Sequence, residues 1–388
     1  MNKEQLTILV TGGAGYIGSF TVKELLDQNF NVVVLDSLEN GHREAVDPRA
    51  KFEIADLGDK NATAIVFDKY KVDAVVDFAA YLAVGESMQE PEKYLKNNVE
   101  NFINLLDVMV EKGCNHIIKS STAAVYGNPQ DKSAIPLNEE YVNKFKPDKS
   151  SLLTGQWQDS KIEGEPFLRE ILKSYKDMVK PDLYLNDEEI TQLRIPSNVY
   201  GVTKMLDEII LKKYSIKSPI KFVSLRYFNA AGASDDGKIG EDHPIETHLI
   251  PLALKNVLDG SEFKLMGTDY KTKDGTAVRD YVHVIDLAKG HFKALLYLME
   301  NNQNSIFNLG NGDGFTVNDV IKTIENTIDK KVNCTICPRR SGDPDVLVAN
   351  SRKAKEVLNW SPQYSLKKII ETAWKWHHEN PKGFSKLP

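Results

Sequence analysis

Three clusters of residue types in this chain could do chemistry together. The first is Gly12-Gly13-Ala14-Gly15-Tyr16-Ile17-Gly18, which lies between a short apolar run, Leu6–Val10, and a stretch of helical spacing from Gly15 to Asn29. Glycines at 12, 15 and 18 permit a tight turn and bring the free N–H groups of a helix start against a pyrophosphate. Asp36 ends the next apolar run, Asn31–Leu35. A carboxylate there accepts hydrogen bonds from ribose hydroxyls and repels a 2′-phosphate, so the loop reads as an NAD site. The second cluster is Tyr200-Gly201-Val202-Thr203-Lys204, a phenol and an ammonium on one face of a helix. A free phenol titrates near ~10, and acting as a base near neutrality requires a fall of ~3 units, about 4 kcal/mol. A lysine cation and a positive nicotinamide both favour the phenolate. The third cluster, Ser120-Ser121-Thr122-Ala123-Ala124-Val125-Tyr126-Gly127, follows a strand. Ligands of parallel sheets sit beyond the carboxyl ends of the strands, so Thr122 is placed to face a substrate. A strand end that merely caps its own backbone is the plainer alternative.

The elements that must position these clusters alternate. After Asn31–Leu35 come an apolar run at Lys51–Ile54, a helix, a run at Val72–Phe78, a helical pattern over Asn97–Lys112, and a run at His116–Ser120. Short runs apolar on both faces, alternating with helices, predict a doubly wound parallel sheet of the Rossmann type. The rhythm breaks at Asn128 and resumes at Lys221–Arg226 and Ser305–Leu309. Residues 1–142, 193–229 and 281–312 are expected to form the NAD-binding domain, and 230–280 with 313–388 a smaller α+β domain. Residues 143–192 read as an insertion carrying one amphipathic helix, Glu165–Met178, stopped by Pro181.

Composition removes other classes of function. At 388 residues, 41% apolar and 27% charged, the chain can bury a substantial core. A formal charge of −6 argues against nucleic acid or an anionic membrane as partner. No apolar run approaches the ~20 residues of a membrane helix, and polar Met1–Gln5 leave no room for a signal peptide. Three cysteines, Cys114, Cys334 and Cys337, suit a reducing compartment, and a cytoplasmic location is expected. Cys334 and Cys337 have metal spacing without a second pair, so no metal site is expected.

The glycine loop, Asn97-Asn98-Val99, the Ser-Ser-Thr run and Tyr-x-x-x-Lys together resemble an extended short-chain dehydrogenase/reductase. Arg226-Tyr227-Phe228-Asn229-Ala230-Ala231-Gly232-Ala233, Gly240-Glu241-Asp242 and His248-Leu249-Ile250-Pro251 narrow the likeness. So do Asp274-Gly275-Thr276-x-x-Arg279-Asp280-Tyr281-x-His283-Val284 and Pro338-Arg339-Arg340-x-Gly342-Asp343. The set is similar to the UDP-glucose 4-epimerase (UDP-galactose 4-epimerase) family over nearly the whole chain outside residues 140–192. The resemblance implies interconversion of UDP-glucose and UDP-galactose by C4 oxidation to a 4-keto sugar with bound NAD, rotation of the sugar and hydride return.

By the same resemblance Tyr200 is the base, Lys204 its electrostatic partner and a ribose ligand, and Thr122 the hydrogen bond to the sugar O4. Gly12, Gly15, Tyr16, Ile17, Gly18, Asp36, Ser37, Asn40, Asp56, Leu57, Phe78, Ala79, Asn98, Ser120 and Tyr227 are expected around the NAD. Phe228, Asn229, His248, Leu249, Arg279, Arg340, Asp343 and Leu347 are expected around the UDP-sugar, with the two arginines as charge-assisted donors to the diphosphate. A homodimer, formed through helices such as Asn97–Lys112, is also implied.

Three departures bear on the reading. Leu82 stands where some family members carry a lysine to the pyrophosphate. Leu347 stands where bulk limits the sugar's C2 substituent, so UDP-N-acetylglucosamine and UDP-pentose 4-epimerases are the alternatives. Tyr126 and Tyr200 are separated far beyond the ~2–6 residues of an ordinary βα connection. A tolerated surface insertion is the expectation, and a lid over the site or an interface the sharper possibility. A sugar-nucleotide 4,6-dehydratase would want an Asp-Glu pair after Thr122, where this chain has Ala123-Ala124. The reading from a different class, a non-catalytic NAD-binding scaffold, sits poorly with intact Tyr200, Lys204 and Thr122.

Overall fold

The computed structural model describes residues 6–129, 132–142, 165–183, 185–186, 189–190, 193–340 and 343–384. Seven short apolar segments become one sheet: β1 (Thr7–Thr11), β2 (Asn31–Asp36), β3 (Lys51–Ile54), β4 (Ala74–Asp77), β5 (His116–Thr122), β6 (Lys221–Tyr227) and β10 (Ser305–Leu309). They run β10-β6-β5-β4-β1-β2-β3, and every neighbouring pair is parallel. Side chains alternate between the faces. Ile8, Val10, Val34 and Val76 pack on Val22 and Leu25 of the helix Tyr16–Asp27 and on Leu287 and Leu295 of Val284–Asn301. Leu9, Val33, Val75 and Ile117 pack on Phe102 and Leu105 of the helix Asn101–Lys112 and on Leu206 and Ile210 of Val199–Lys217. Both faces are covered, as an all-parallel sheet requires. The doubly wound fold is present. The helical pattern that begins at Asn97 in the sequence passes through a π-helical turn, Leu95–Glu100, before the α-helix starts at Asn101.

A second lobe is built around β9 (Val278–His283), which pairs with β7 (Asn229–Ala231), β11 (Gly314–Thr316) and β13 (Val346–Leu347). β9 crosses residue 281, where the sequence pattern returns to the first domain. Its ladder partners lie in the second lobe. The strands β8 (Phe263–Met266) and β12 (Cys334–Cys337) pair separately. The helices Leu249–Asp259, Val317–Ile328 and Leu366–Glu379 close this core through Leu254, Ile324 and Ile370. Cys334 and Cys337 are free and sit along one edge-strand pair. Among the described residues, no helix is long and apolar enough to cross a membrane.

The described part of the insertion is not a loose surface loop. Its helix is α-helical over Glu165–Ser174 and tightens to a 3₁₀ turn at Tyr175–Met178. Leu168, Leu172 and Tyr175 are fully buried, and with Leu183, Leu185 and Ile190 they join the core shared by Asn101–Lys112 and Val199–Lys217. Lys180 pairs with Asp107 at 2.8 Å and Lys217 with Asp182 at 2.9 Å, fastening the rim. An apolar helix face cannot stay in water, so the segment lies against the two helices. Residues 143–164 of the insertion lie outside the described residues. Replacing Leu172 by Ala should therefore cost about 2–5 kcal/mol of global stability in urea unfolding. A loss below about 0.5 kcal/mol, the range of exposed positions, would show that the segment is only loosely attached.

Candidate active site

The strand order reverses at β1: β2 and β3 leave to one side, β4, β5 and β6 to the other. No crossover covers the gap between such strands at their carboxyl ends. A cavity of about 1110 Å³ opens there. One end is a dinucleotide-shaped cradle. Gly12 holds a left-handed φ of +67°, and a Cβ on it would lie 2.7 Å from the Ala79 nitrogen. A Cβ on Gly18 would lie 2.3 Å from the Gly12 oxygen. Loop and helix can thus approach only without side chains. Gly15 caps the helix Tyr16–Asp27 with no side-chain hydrogen bond, leaving its first N–H groups and positive dipole end to a ligand. Asp36 at the tip of β2 accepts from Ala14 N and Leu38 N, both at 2.9 Å, and burial raises its pKa. These features fit NAD: bare backbone for a pyrophosphate and a carboxylate for a ribose.

Gly12, Gly15, Tyr16, Ile17, Gly18, Asp36, Ser37, Asn40, Asp56, Leu57, Phe78, Ala79, Ser120 and Tyr227 all line this cavity. Asn98 does not. It is fully buried, its Oδ1 accepts from Tyr81 N at 2.8 Å, and its amide donates to Tyr81 O and to Thr203 Oγ1. It clips the β4 loop to the Val199–Lys217 helix. Leu82 lines the wall, and at 44% exposure it offers no charge to a pyrophosphate.

Tyr200, Lys204 and Thr122 meet in the middle of the cavity. Asn198 starts the helix by accepting from Gly201 N at 2.8 Å, and Ser87 Oγ accepts from Tyr200 N at 3.1 Å, so the first turn is held from two sides. Lys204 donates to Ser120 O at 3.1 Å and to Ser120 Oγ at 3.2 Å. Thr122 both caps Ala124 N at 3.2 Å and faces the cavity. Burial pushes the Tyr200 phenol up to about 12, although the Thr122 hydroxyl and the Lys119 ammonium pull it down. Lys204 is pulled down to about 8, first by burial and then by the like charge of Lys119. The protein's own groups therefore leave the phenol neutral near pH 7. Behind the pair, Lys119 is fully buried between Asp77 at 2.6 Å and Asp207 at 3.1 Å, and burial raises Asp207 to about 6.

The far end is formed by the second lobe. Phe228, Asn229, His248, Leu249, Arg279, Arg340, Asp343 and Leu347 all line the cavity. Arg279 donates to Asp343 Oδ1 at 2.5 Å and to Pro344 O at 2.9 Å, and Asn229 donates to Asp280 O at 2.8 Å. Arg279 is thus held rigid across β9 before any ligand arrives. Sequence reasoning left several wall residues unassigned. Tyr81 bonds Glu39 at 2.8 Å, Asp242 faces His42 at 3.4 Å, and Phe384 donates to Asp242 at 2.8 Å. The Asn198 cap was legible as an Asn ahead of a helix. The Asp242 contacts join residues 200 and 142 positions apart and had no local signal.

Comparison with known proteins accords with this geometry. Residues 8–152 match the NAD dependent epimerase/dehydratase family, and residues 184–373 match a model described as GDP-mannose 4,6 dehydratase. The UDP-glucose 4-epimerase of Streptococcus mutans is 43% identical over 98% of this chain and 99% of its own. This chain belongs to the UDP-glucose 4-epimerase family. The epimerase of Brucella ovis, solved with NAD, is 34% identical with a TM-score of 0.77, over 95% of this chain and 97% of that one. The Bifidobacterium longum epimerase, solved with NAD+ and UDP, is 30% identical with a TM-score of 0.78, over 97% and 99%. NAD is the cofactor of this epimerase family member. Ala123 and Ala124 line the cavity beside Thr122, so the acid–base pair a dehydratase wants is missing there.

Beneath the Val199–Lys217 helix, Arg226 on β6 grips Glu208 in a fork, Nε to Oε1 at 2.8 Å and Nη2 to Oε2 at 2.6 Å, and both are almost fully buried. Ser121 donates to the same carboxylate at 2.7 Å. Replacing Arg226 by Met leaves a buried carboxylate without its partner and should cost about 3–5 kcal/mol in denaturant unfolding. Adding Glu208→Met should recover most of that loss; equal loss in single and double variants would assign the cost to packing instead.

Proposed function

We propose that this chain interconverts UDP-glucose and UDP-galactose, with Tyr200, Lys204 and Thr122 as its catalytic residues. One observation carries the reading. The three side chains share a single cavity with the glycine cradle at one end and Arg279 and Asp343 at the other. Bound NAD supplies a reversible hydride acceptor for the sugar C4. Tyr200 takes the proton from the sugar O4 and returns one to O4 after the sugar has turned, so the sugar is a 4-ketone in between. Thr122 hydrogen-bonds O4, and the Lys204 ammonium lowers the cost of phenolate. Arg279 and Arg340 grip the diphosphate and Asp343 the uridine ribose, so the nucleotide stays while the hexose moves. The lining residues named above keep their expected cofactor and substrate roles, and Asn98 acts through the Tyr81 loop. Leu347, half-buried on β13, lines the cavity, and UDP-N-acetylglucosamine or a UDP-pentose is the alternative substrate.

The domain division drawn from the sequence is proposed with β9 assigned to the substrate lobe. A homodimer through the helices at Asn101–Lys112, a cytoplasmic location and no nucleic-acid partner are proposed on the family likeness and the acidic charge. Val110, 38% exposed on that helix, supplies apolar surface for such an interface.

Tyr200→Phe should lower kcat with UDP-galactose by about 10²–10⁴-fold while NAD stays bound, since only the proton acceptor is lost. Retained turnover would displace Tyr200 from the role. A panel of UDP-glucose, UDP-galactose, UDP-N-acetylglucosamine and a UDP-pentose, incubated without added NAD, separates the specificity readings. The alkaline limb of kcat/KM should set in around pH 8, because Lys204 carries its charge below its lowered pKa and loses it above. A rate that holds through pH ~10, lysine's ordinary range, would remove Lys204 from the charge balance.

A further inference from the structure

The segment leading into the helix Leu249–Asp259 carries four ligating side chains, Glu241, His243, Glu246 and His248. All four potential ligand atoms lie within 4.8 Å of one another. Glu241 Oε1 is 2.6 Å from His248 Nδ1 and 3.5 Å from His243 Nδ1. Glu246 reaches His243 Nδ1 through one oxygen and His248 Nδ1 through the other, both at 3.3 Å. Donors bound at ~2.0–2.1 Å to a tetrahedral ion sit about 3.3–3.4 Å apart, so the carboxylate–imidazole distances already bracket that edge.

Two carboxylates and two imidazoles face one another here, with Glu241 only 4% exposed and the two rings 5.4 Å apart, a donor set that one divalent cation can share. Two imidazole nitrogens favour a transition ion over magnesium or calcium, which take oxygen ligands.

Groups that are not ligands hold the segment in place. Trp376 Nε1 donates to Glu241 O at 3.1 Å, and Glu246 Oε1 accepts from Thr247 N and His248 N at 2.7 Å each. Asp242 takes His42 on one side and Phe384 on the other. Such outer contacts orient ligands before an ion arrives. The His248 side chain is 44% exposed and on the cavity wall, which provides an entry path.

We propose that Glu241, His243, Glu246 and His248 bind one divalent transition-metal ion, zinc foremost, which staples this wall of the cavity. The site departs from the sequence expectation of no metal, because Glu-x-His-x-x-Glu-x-His matches no spacing used there. It shares His248 with the cavity wall proposed to face the UDP-sugar.

The test titrates zinc chloride into the full chain after dialysis against EDTA, following binding by calorimetry and thermal midpoint. One ion per chain is expected, with a midpoint that rises with zinc concentration. His243→Gln with Glu246→Gln should weaken binding at least tenfold. Binding unchanged in that variant, or absent in the parent chain, would overturn the site. Should the variant fail to fold, cobalt chloride added to the parent decides: an intense visible band of a four-coordinate ion supports the site, and a weak six-coordinate spectrum overturns it.

Discussion

The structure depends on one constraint, the reversal of strand order in the all-parallel sheet at β1. Because β2 and β4 flank β1 and lead away in opposite senses, no connection crosses the carboxyl ends between them. The glycine loop, the tip of β2 and the first turn of the Val199–Lys217 helix all open onto that gap. The second lobe closes it from above. Neither lobe alone holds both the glycine cradle and the Arg279 and Arg340 cations.

Around the gap the molecule buries an unusual amount of charge. Lys119 between Asp77 and Asp207, and Arg226 forked on Glu208, lie on β4, β5, β6 and the Val199–Lys217 helix, behind the phenol and ammonium that face the cavity. Such groups are costly to bury singly and tolerable only when paired. Their pairing fixes the register of the Val199–Lys217 helix on the sheet. It also sets the site's electrostatics: the Lys119 charge helps to lower Lys204, and burial keeps Tyr200 protonated near neutral pH.

The insertion shows a different use of burial. Its helix does not line the cavity, and Leu168, Leu172 and Tyr175 instead extend the core outward over two helices that carry or flank the site. Rigidity at Tyr200 is thereby supported from the side remote from the ligand. The amphipathic pattern was visible in the sequence, but what its apolar stripe would cover was not.

The sequence by itself determined the parallel sheet, the nucleotide loop and the Tyr-x-x-x-Lys pair, because each is written in a local pattern of residue types. Apolar runs need two covered faces, Gly12 and Gly18 meet across one turn, and Tyr200 and Lys204 share one helix face. Thr122 was legible too, as a strand end at the carboxyl edge. Only the tertiary structure decided that Asn98 is a buried clip, that β9 belongs with the second lobe, and that His42, Asp242 and Phe384 meet. It also decided that Lys119 repels Lys204, and that four side chains from Glu241 to His248 converge. Those outcomes depend on which distant segments come within a few ångströms, and on how much water burial removes. Local spacing encodes neither.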